Sequence, residues 1–150
     1  MSVTDTTSFQ SITELSRRLA DGELSSVELT QASLTRIESL NDTLNAFRLV
    51  TAEDALAQAK EADERRRSGD PSPLLGVPYA AKDLFDVAGL PTSAGSRLLE
   101  ATTAENDSPV ITRLRQAGMV LLGKTNTVQF AYGGVGINHD HGTPHNPWHE

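Results

Sequence analysis

The sequence predicts an α/β protein in which helices precede a sheet-bearing core. Three observations predict it. Within the first 70 residues, three segments open on a hydroxyl residue followed three positions later by an acid. Two short apolar runs further on, "GVPYAAK" and "MVLLGKT", have strand composition. Between them lies "DSPVITRLRQAG", which carries helix punctuation. Strand, crossover helix and strand in that order make an α/β core.

The elements follow in chain order. Ser11 with Glu14, Ser25 with Glu28 and Thr51 with Asp54 each match a capping box, and each predicts a helix start. In such a box the hydroxyl accepts one backbone N–H and the acid accepts another. Gly22 and Gly69 are the expected stops of the first and third helices. Ile12, Leu15 and Leu19 mark an apolar face on the first. Leu29, Ala32, Ile37, Leu40 and Leu44 do so on the second. "AFRLV" is short enough to be a strand or a turn. The run "KEADERRRSGD" reads as a solvated helix end, and "SGDPSP" as a loop. Pro109 falls in the first turn of the crossover helix, and Gly118 stops it. The organisation expected is one domain over 1–150: a helical lead-in over about 1–70 and the start of the α/β core over about 74–150.

Composition narrows the function. A compact chain of 150 residues buries roughly two-thirds of its unfolded surface, which suits one domain. Net charge is −7 and pI about 5.0, against a general grip on nucleic acid. There are no cysteines, so disulfides, thiolate metal sites and a cysteine nucleophile are excluded. "MSVTDTTSFQ" lacks the apolar centre of a signal peptide, and no window approaches the roughly 20 apolar residues of a membrane span. The expectation is a soluble cytoplasmic protein.

Three motifs mislead. "GMVLLGKT", Gly118 to Thr125, satisfies the phosphate-loop pattern. That pattern needs a strand before its first glycine, whereas here a helix precedes it and Met-Val-Leu-Leu belongs in a strand. Lys124 is then read as a strand-end residue near a site or the surface. His139, His141, His145 and His149, with Asp140, crowd the last twelve residues. Imidazoles and a carboxylate can bind zinc, but Gly142, Pro144 and Pro147 leave them no regular spacing, and the tract reads as loop. "GGVG", Gly133 to Gly136, lacks the third glycine of a dinucleotide fingerprint, since position 139 is histidine.

Lys82 ends the first apolar run. Strand alternation puts Pro78, Ala80 and Lys82 on one face and Val77, Tyr79 and Ala81 on the other. Asp83 points away from Lys82. A lysine at a strand end can snorkel to water. Alternatively, desolvation can hold the amine neutral and make it a base.

The segment Gly76 to Ser96, "GVPYAAKDLFDVAGLPTSAGS", resembles the lysine segment of the amidase signature family, G-[VI]-P-x-[AG]-[VIA]-K-D followed by G-x-P-T-[ST]-x-G-S. "DSPVITRLRQAGMVLLGKTNTVQFAYGG" and "GINHDHGTPHNPW" resemble its next segments, and the helices from Ser25 resemble its usual start. The resemblance runs from about residue 11 to the end. It implies the N-terminal part of the amidase signature fold, with helices around a mixed central sheet that is incomplete in this chain.

It further implies amide hydrolysis by a Ser–cis-Ser–Lys triad, with Lys82 as the lysine and no metal or organic cofactor. Ala131, Tyr132 and Gly133 match a segment that passes close to substrate. The implied partner is a small-molecule amide, with no direct nucleic acid or membrane contact, and a homodimer is compatible. After N-P-W the family continues into a Gly/Ser-rich segment carrying both serines. This sequence stops two residues after Trp148, so the expectation is a chain that carries the lysine alone and is inactive by itself. Ser93 and Ser96 match "TSAGS" positions and are not expected to replace those serines. Two alternatives remain. One is the A subunit of a glutamyl-tRNA amidotransferase, although such members usually read K-D-N-I where this chain has Lys82-Asp83-Leu84-Phe85. The other is a non-catalytic remnant that binds a partner.

Overall fold

The structure, a computed structural model, describes residues 7–148. The described helices are α1 (Ile12–Ala20), α2 (Ser26–Leu44), α3 (Ala52–Arg67) and α4 (Pro109–Gln116). The strands are β1 (Phe47–Val50), β2 (Pro78–Lys82) and β3 (Val120–Thr125). They form a mixed sheet in the order β1-β3-β2. β1 runs antiparallel to β3, pairing Phe47 with Thr125 and Val50 with Gly123. β2 and β3 are parallel: Val77 accepts from the Val120 amide at one end, and Thr125 accepts from the Asp83 amide at the other. α4 is the crossover between them. The α/β expectation holds.

The chain divides into two compact units, whose boundaries fall within β2 and β3. Among the described residues, the first contains 7–39, 51–79 and 114–122. Its core joins Leu15, Leu19, Leu24, Leu29, Val77 and Met119, with Leu74, Tyr79, Leu114 and Ala117 against them. Full burial of a leucine such as Leu19 contributes roughly 1.5–3 kcal/mol. α3 buries Ala55, Ala59 and Ala62 along one stripe, and Gln58 Oε1 accepts from the Leu121 amide at 3.0 Å.

The capping boxes prove unequal. At α2 the box is complete: Ser25 Oγ accepts from the Glu28 amide at 3.1 Å, and Glu28 Oε2 accepts from the Ser25 amide at 2.9 Å. Asp63 of α3 adds its carboxylate, accepting from the Ser26 and Val27 amides at 2.8 and 3.2 Å. At α1 Ser11 caps the Glu14 amide, but Glu14 turns to Arg17. At α3 the expected box does not form. The Thr51 hydroxyl donates to the Leu121 carbonyl at 3.3 Å and makes no side-chain cap bond. Leu15 and Leu19 are buried as expected, whereas Ile12 is 55% exposed. Leu29 and Ala32 are buried on α2, joined by Leu34, while Leu40 is exposed.

The second unit contains residues 40–50, 80–113 and 123–150. Asn41 secures β1 at its start, donating to the Phe47 carbonyl at 3.0 Å and accepting from its amide at 2.7 Å. Gly123 brings β3 close to β1: a Cβ there would stand 2.1 Å from the Leu49 carbonyl oxygen, and φ is +151°. Residues 89–104 form an excursion closed by Gly89, Thr92 and Ala104 amide bonds to Ala104, Thr102 and Leu90 carbonyls.

Candidate active site

Alternation in β2 is as expected. Ala81 is buried, while Ala80 and Lys82 are exposed. Lys82 therefore ends the strand with its side chain in solvent in this chain. The chain turns at once, because the Lys82 carbonyl accepts from both the Leu84 and Phe85 amides, at 2.7 and 3.0 Å.

The buried lysine is the other one. Lys124 lies at the end of a strand buried along most of its length and is 0% exposed; the strand-end position is as expected, and of the two expected surroundings, a site or the surface, the surface is excluded. Its ammonium has three donors and three partners. Nζ lies 2.8 Å from Asp83 Oδ1 and 2.9 Å from both the Pro91 carbonyl and Thr92 Oγ1. Asp83 is itself buried and accepts from the Ser93 hydroxyl and amide through Oδ2. Sequence reasoning missed this pair. The available signal was an acid facing away from Lys82 next to a lysine embedded in an apolar strand.

The stretch Thr92 to Ser96 ties these parts together. Thr92 and Ser93 hold the Lys124–Asp83 pair. The Ala94 carbonyl accepts from the Phe130 amide at 2.7 Å. The Gly95 carbonyl accepts from Asn138 Nδ2 at 2.8 Å. Ser96 Oγ donates to Asp140 Oδ2 at 3.3 Å and accepts from Gln129 Nε2 at 3.0 Å. Gly95 is obligatory here: φ is +72°, and a Cβ would meet the Thr127 carbonyl oxygen at 2.7 Å. The hydroxyls of Ser93 and Ser96 are both engaged and both residues are buried.

The expected lining residues lie in a turn with unusual backbone. Phe130 and Ala131 have φ of +52° and +54°, in the sparsely populated left-handed region. Such backbone persists only where the surroundings impose it. The Phe130 bond to Ala94 is one such constraint. Tyr132 is 90% exposed and Gly133 is exposed. The strand end bearing Lys82 and the turn bearing Ala131 to Gly133 are thus both fastened to the Thr92–Ser96 stretch, the first through Asp83 and the second through Phe130.

The histidine-rich end is a loop organised by Asn138 and Asp140. Asn138 Oδ1 accepts from the Asp140 and His141 amides, each at 2.8 Å. The Asp140 carboxyl is held below its ordinary range by the Arg97 amide and, less strongly, by the Ser96 hydroxyl. His149 lies outside the described residues.

The model of the Amidase family matches residues 28–150. The chain belongs to the amidase (amidase signature) family. Among sequence relatives, it is 49% identical over 139 residues to the glutamyl-tRNA(Gln) amidotransferase A subunit of Thioalkalivibrio sulfidiphilus (strain HL-EbGR7), covering 93% of this chain and 29% of the relative. It is 48% identical over 137 residues to the protein of that name from Pseudomonas entomophila (strain L48), covering 91% and 28%. Among solved structures, native peptide amidase from Stenotrophomonas maltophilia superposes with a TM-score of 0.86 at 36% identity, over 95% of this chain and 31% of that one. A structure described as a vestigial protein complex that reveals the evolutionary origins of an s-triazine catabolic enzyme gives 0.90 at 37%, over 93% and 31%. The chain spans less than a third of the length of each. Among the described residues, no helix is long and apolar enough to cross a membrane.

Proposed function

We propose that this chain supplies the lysine of an amide-hydrolysing site, Lys82, to two serines carried by sequence beyond residue 150. The observation that carries the reading is the placement of Lys82: solvent-facing at the end of β2 and within the residues matched by the family, while the hydroxyls of Ser93 and Ser96 are engaged with Asp83 and Asp140. In the reaction, a serine oxygen attacks the amide carbonyl carbon. Its proton passes through the bridging serine to the neutral Lys82 amine. The tetrahedral intermediate collapses, the C–N bond breaks, and the amine or ammonia leaves with a proton. Water then hydrolyses the acyl ester. The neutral amine requires desolvation, so this reading needs further chain to cover Lys82. The turn from Ala131 to Gly133 would line the substrate.

The decisive experiment measures turnover of simple primary amides by the full-length gene product and its Lys82→Ala variant. Loss of turnover with an unchanged melting transition supports the reading. A variant that retains turnover removes it. The 150 residues alone are expected to hydrolyse no amide.

The sequence relatives favour a second reading, in which the amide is glutamine and the ammonia passes to a partner subunit of a glutamyl-tRNA amidotransferase. Glutaminase activity that rises when further subunits copurify would select it. Turnover of unrelated amides by the purified single chain would select a general amidase.

A further inference from the structure

We propose that the buried Asp83–Lys124 pair is a positioning device for Lys82. The inference rests on reading Lys82 as the reacting base, and it adds the residues that hold that base in place.

Stability alone does not account for the pair. Removing two charges from water is costly, and apolar residues of similar volume often serve a core as well or better. A buried pair does supply direction, because every donor and acceptor must be met at fixed angles. Here all are met. Lys124 uses its three N–H groups on Asp83, Pro91 and Thr92, and Asp83 uses one oxygen on Lys124 and the other on Ser93. These bonds lock residue 83 to β3 and to the Thr92–Ser93 backbone. The Asp83 amide adds a bond to the Thr125 carbonyl at 3.0 Å.

Residue 82 immediately precedes it in the chain, and its side chain faces the other way. Its carbonyl is already committed to the Leu84–Phe85 turn. A lysine amine sits on a flexible four-carbon stem, so the one thing the fold can fix is the backbone from which the stem starts. The pair fixes it from the opposite face of the strand and leaves the amine free to react. The same loop that receives the pair also receives Phe130, through Ala94. A shift at residue 83 would therefore disturb Lys82 against the Ala131–Gly133 turn.

The test compares the full-length gene product with its Asp83→Asn variant, which keeps the volume and an acceptor for Ser93 but removes the charge. A Lys124→Met/Asp83→Leu double variant serves where the first does not fold. We expect kcat for a primary amide to fall about 100-fold, the scale of a base misplaced by an ångström. KM should stay within about threefold, because ground-state binding is untouched. Hydrogen exchange at the amide of residue 83 should quicken about tenfold, while the Val120 amide keeps its protection.

A folded variant with wild-type kcat overturns the proposal. So does a parallel loss of kcat, substrate binding and Val120 protection, which is the pattern of a stability role. Failure of both variants to fold makes the pair a folding element and also overturns it. If the wild-type product turns over no amide, the reading of Lys82 fails. The pair is then judged on exchange alone, with unchanged protection at residue 83 counting against it.

Discussion

Asn138 Nδ2 donates to the Gly95 carbonyl at 2.8 Å, joining the loop before the C-terminal segment to the stretch that holds the Lys124–Asp83 pair. The same amide donates to Thr127 at 2.6 Å, and its oxygen accepts two backbone amides. Asn138 is buried, so its loss leaves the carbonyls of buried Gly95 and Thr127 without this donor and the amides of half-buried Asp140 and His141 without this acceptor. Asn138→Ala is expected to cost about 3 kcal/mol, read as a lower midpoint in urea. Asn138→Asp, which keeps the acceptor and loses the donor, should behave almost as badly.

Breaking the buried pair from one side should be severe. Lys124→Ala leaves Asp83 buried without its counter-ion and with only Ser93 as a partner, and the expected cost is about 3–5 kcal/mol. Chemical denaturation of this variant beside the apolar double variant separates the two effects. Replacing both partners should cost much less than removing one.

Gly123→Ala tests the close approach of β3 to β1. The added methyl would lie 2.1 Å from the Leu49 oxygen and 2.9 Å from Val50 Cα, both backbone atoms that cannot swing away. The strands must separate, at about 3 kcal/mol. Loss of protection at the Thr51 amide, which donates to the Leu122 carbonyl of β3 at 2.9 Å, ahead of the rest of the chain would verify the cause.

Acid should loosen two surface ties before the cores yield. The Ser72 hydroxyl and amide, and then the Arg65 guanidinium, hold the Asp70 carboxyl at about 2 against an ordinary 3.8. The folded value is depressed, so this contribution is complete above 3.8 and is lost as pH falls through about 2. Asp140 is also depressed, and its contribution fades in the same direction. The stability difference between wild type and Asp70→Asn should therefore be present at neutral pH and shrink towards pH 2. A difference that grows on acidification would contradict the assignment.

What was legible in the sequence was mostly local. Ser25 and Glu28 form their box because both partners lie within one turn. β2 and β3 declare themselves through composition, and Pro109 and Gly118 bracket α4 by backbone preference alone. Thr51 carries the same pattern as Ser25, yet its hydroxyl goes to Leu121, a partner no local rule can see. Ile12 lies on the apolar face by spacing and is exposed, because spacing says nothing about where a neighbour sits. The burial of Lys124 was hidden for a related reason. Its partners Asp83, Pro91 and Thr92 come from over thirty residues upstream, and only the parallel crossover brings them beside it. For Lys82 the strand reading left two outcomes open, a chain that snorkels to water and a desolvated base, and the exposed one is found in this chain, since exposure depends on what covers the strand end.

The strand order has a consequence for how the chain is made. β1 bonds to β3 and not to β2, so apart from the bonds of Phe47 to Asn41 it waits for residues 120–125 before it has a strand partner. No described strand neighbours are joined by a tight hairpin, and both pairings require long loop closures, the kind of contact that folds slowly. On a ribosome, β1 and β2 would emerge without a strand neighbour until the last strand of the three cleared the exit tunnel. During that interval the helices alone can fold, and the whole sheet forms only once β3 has been delivered.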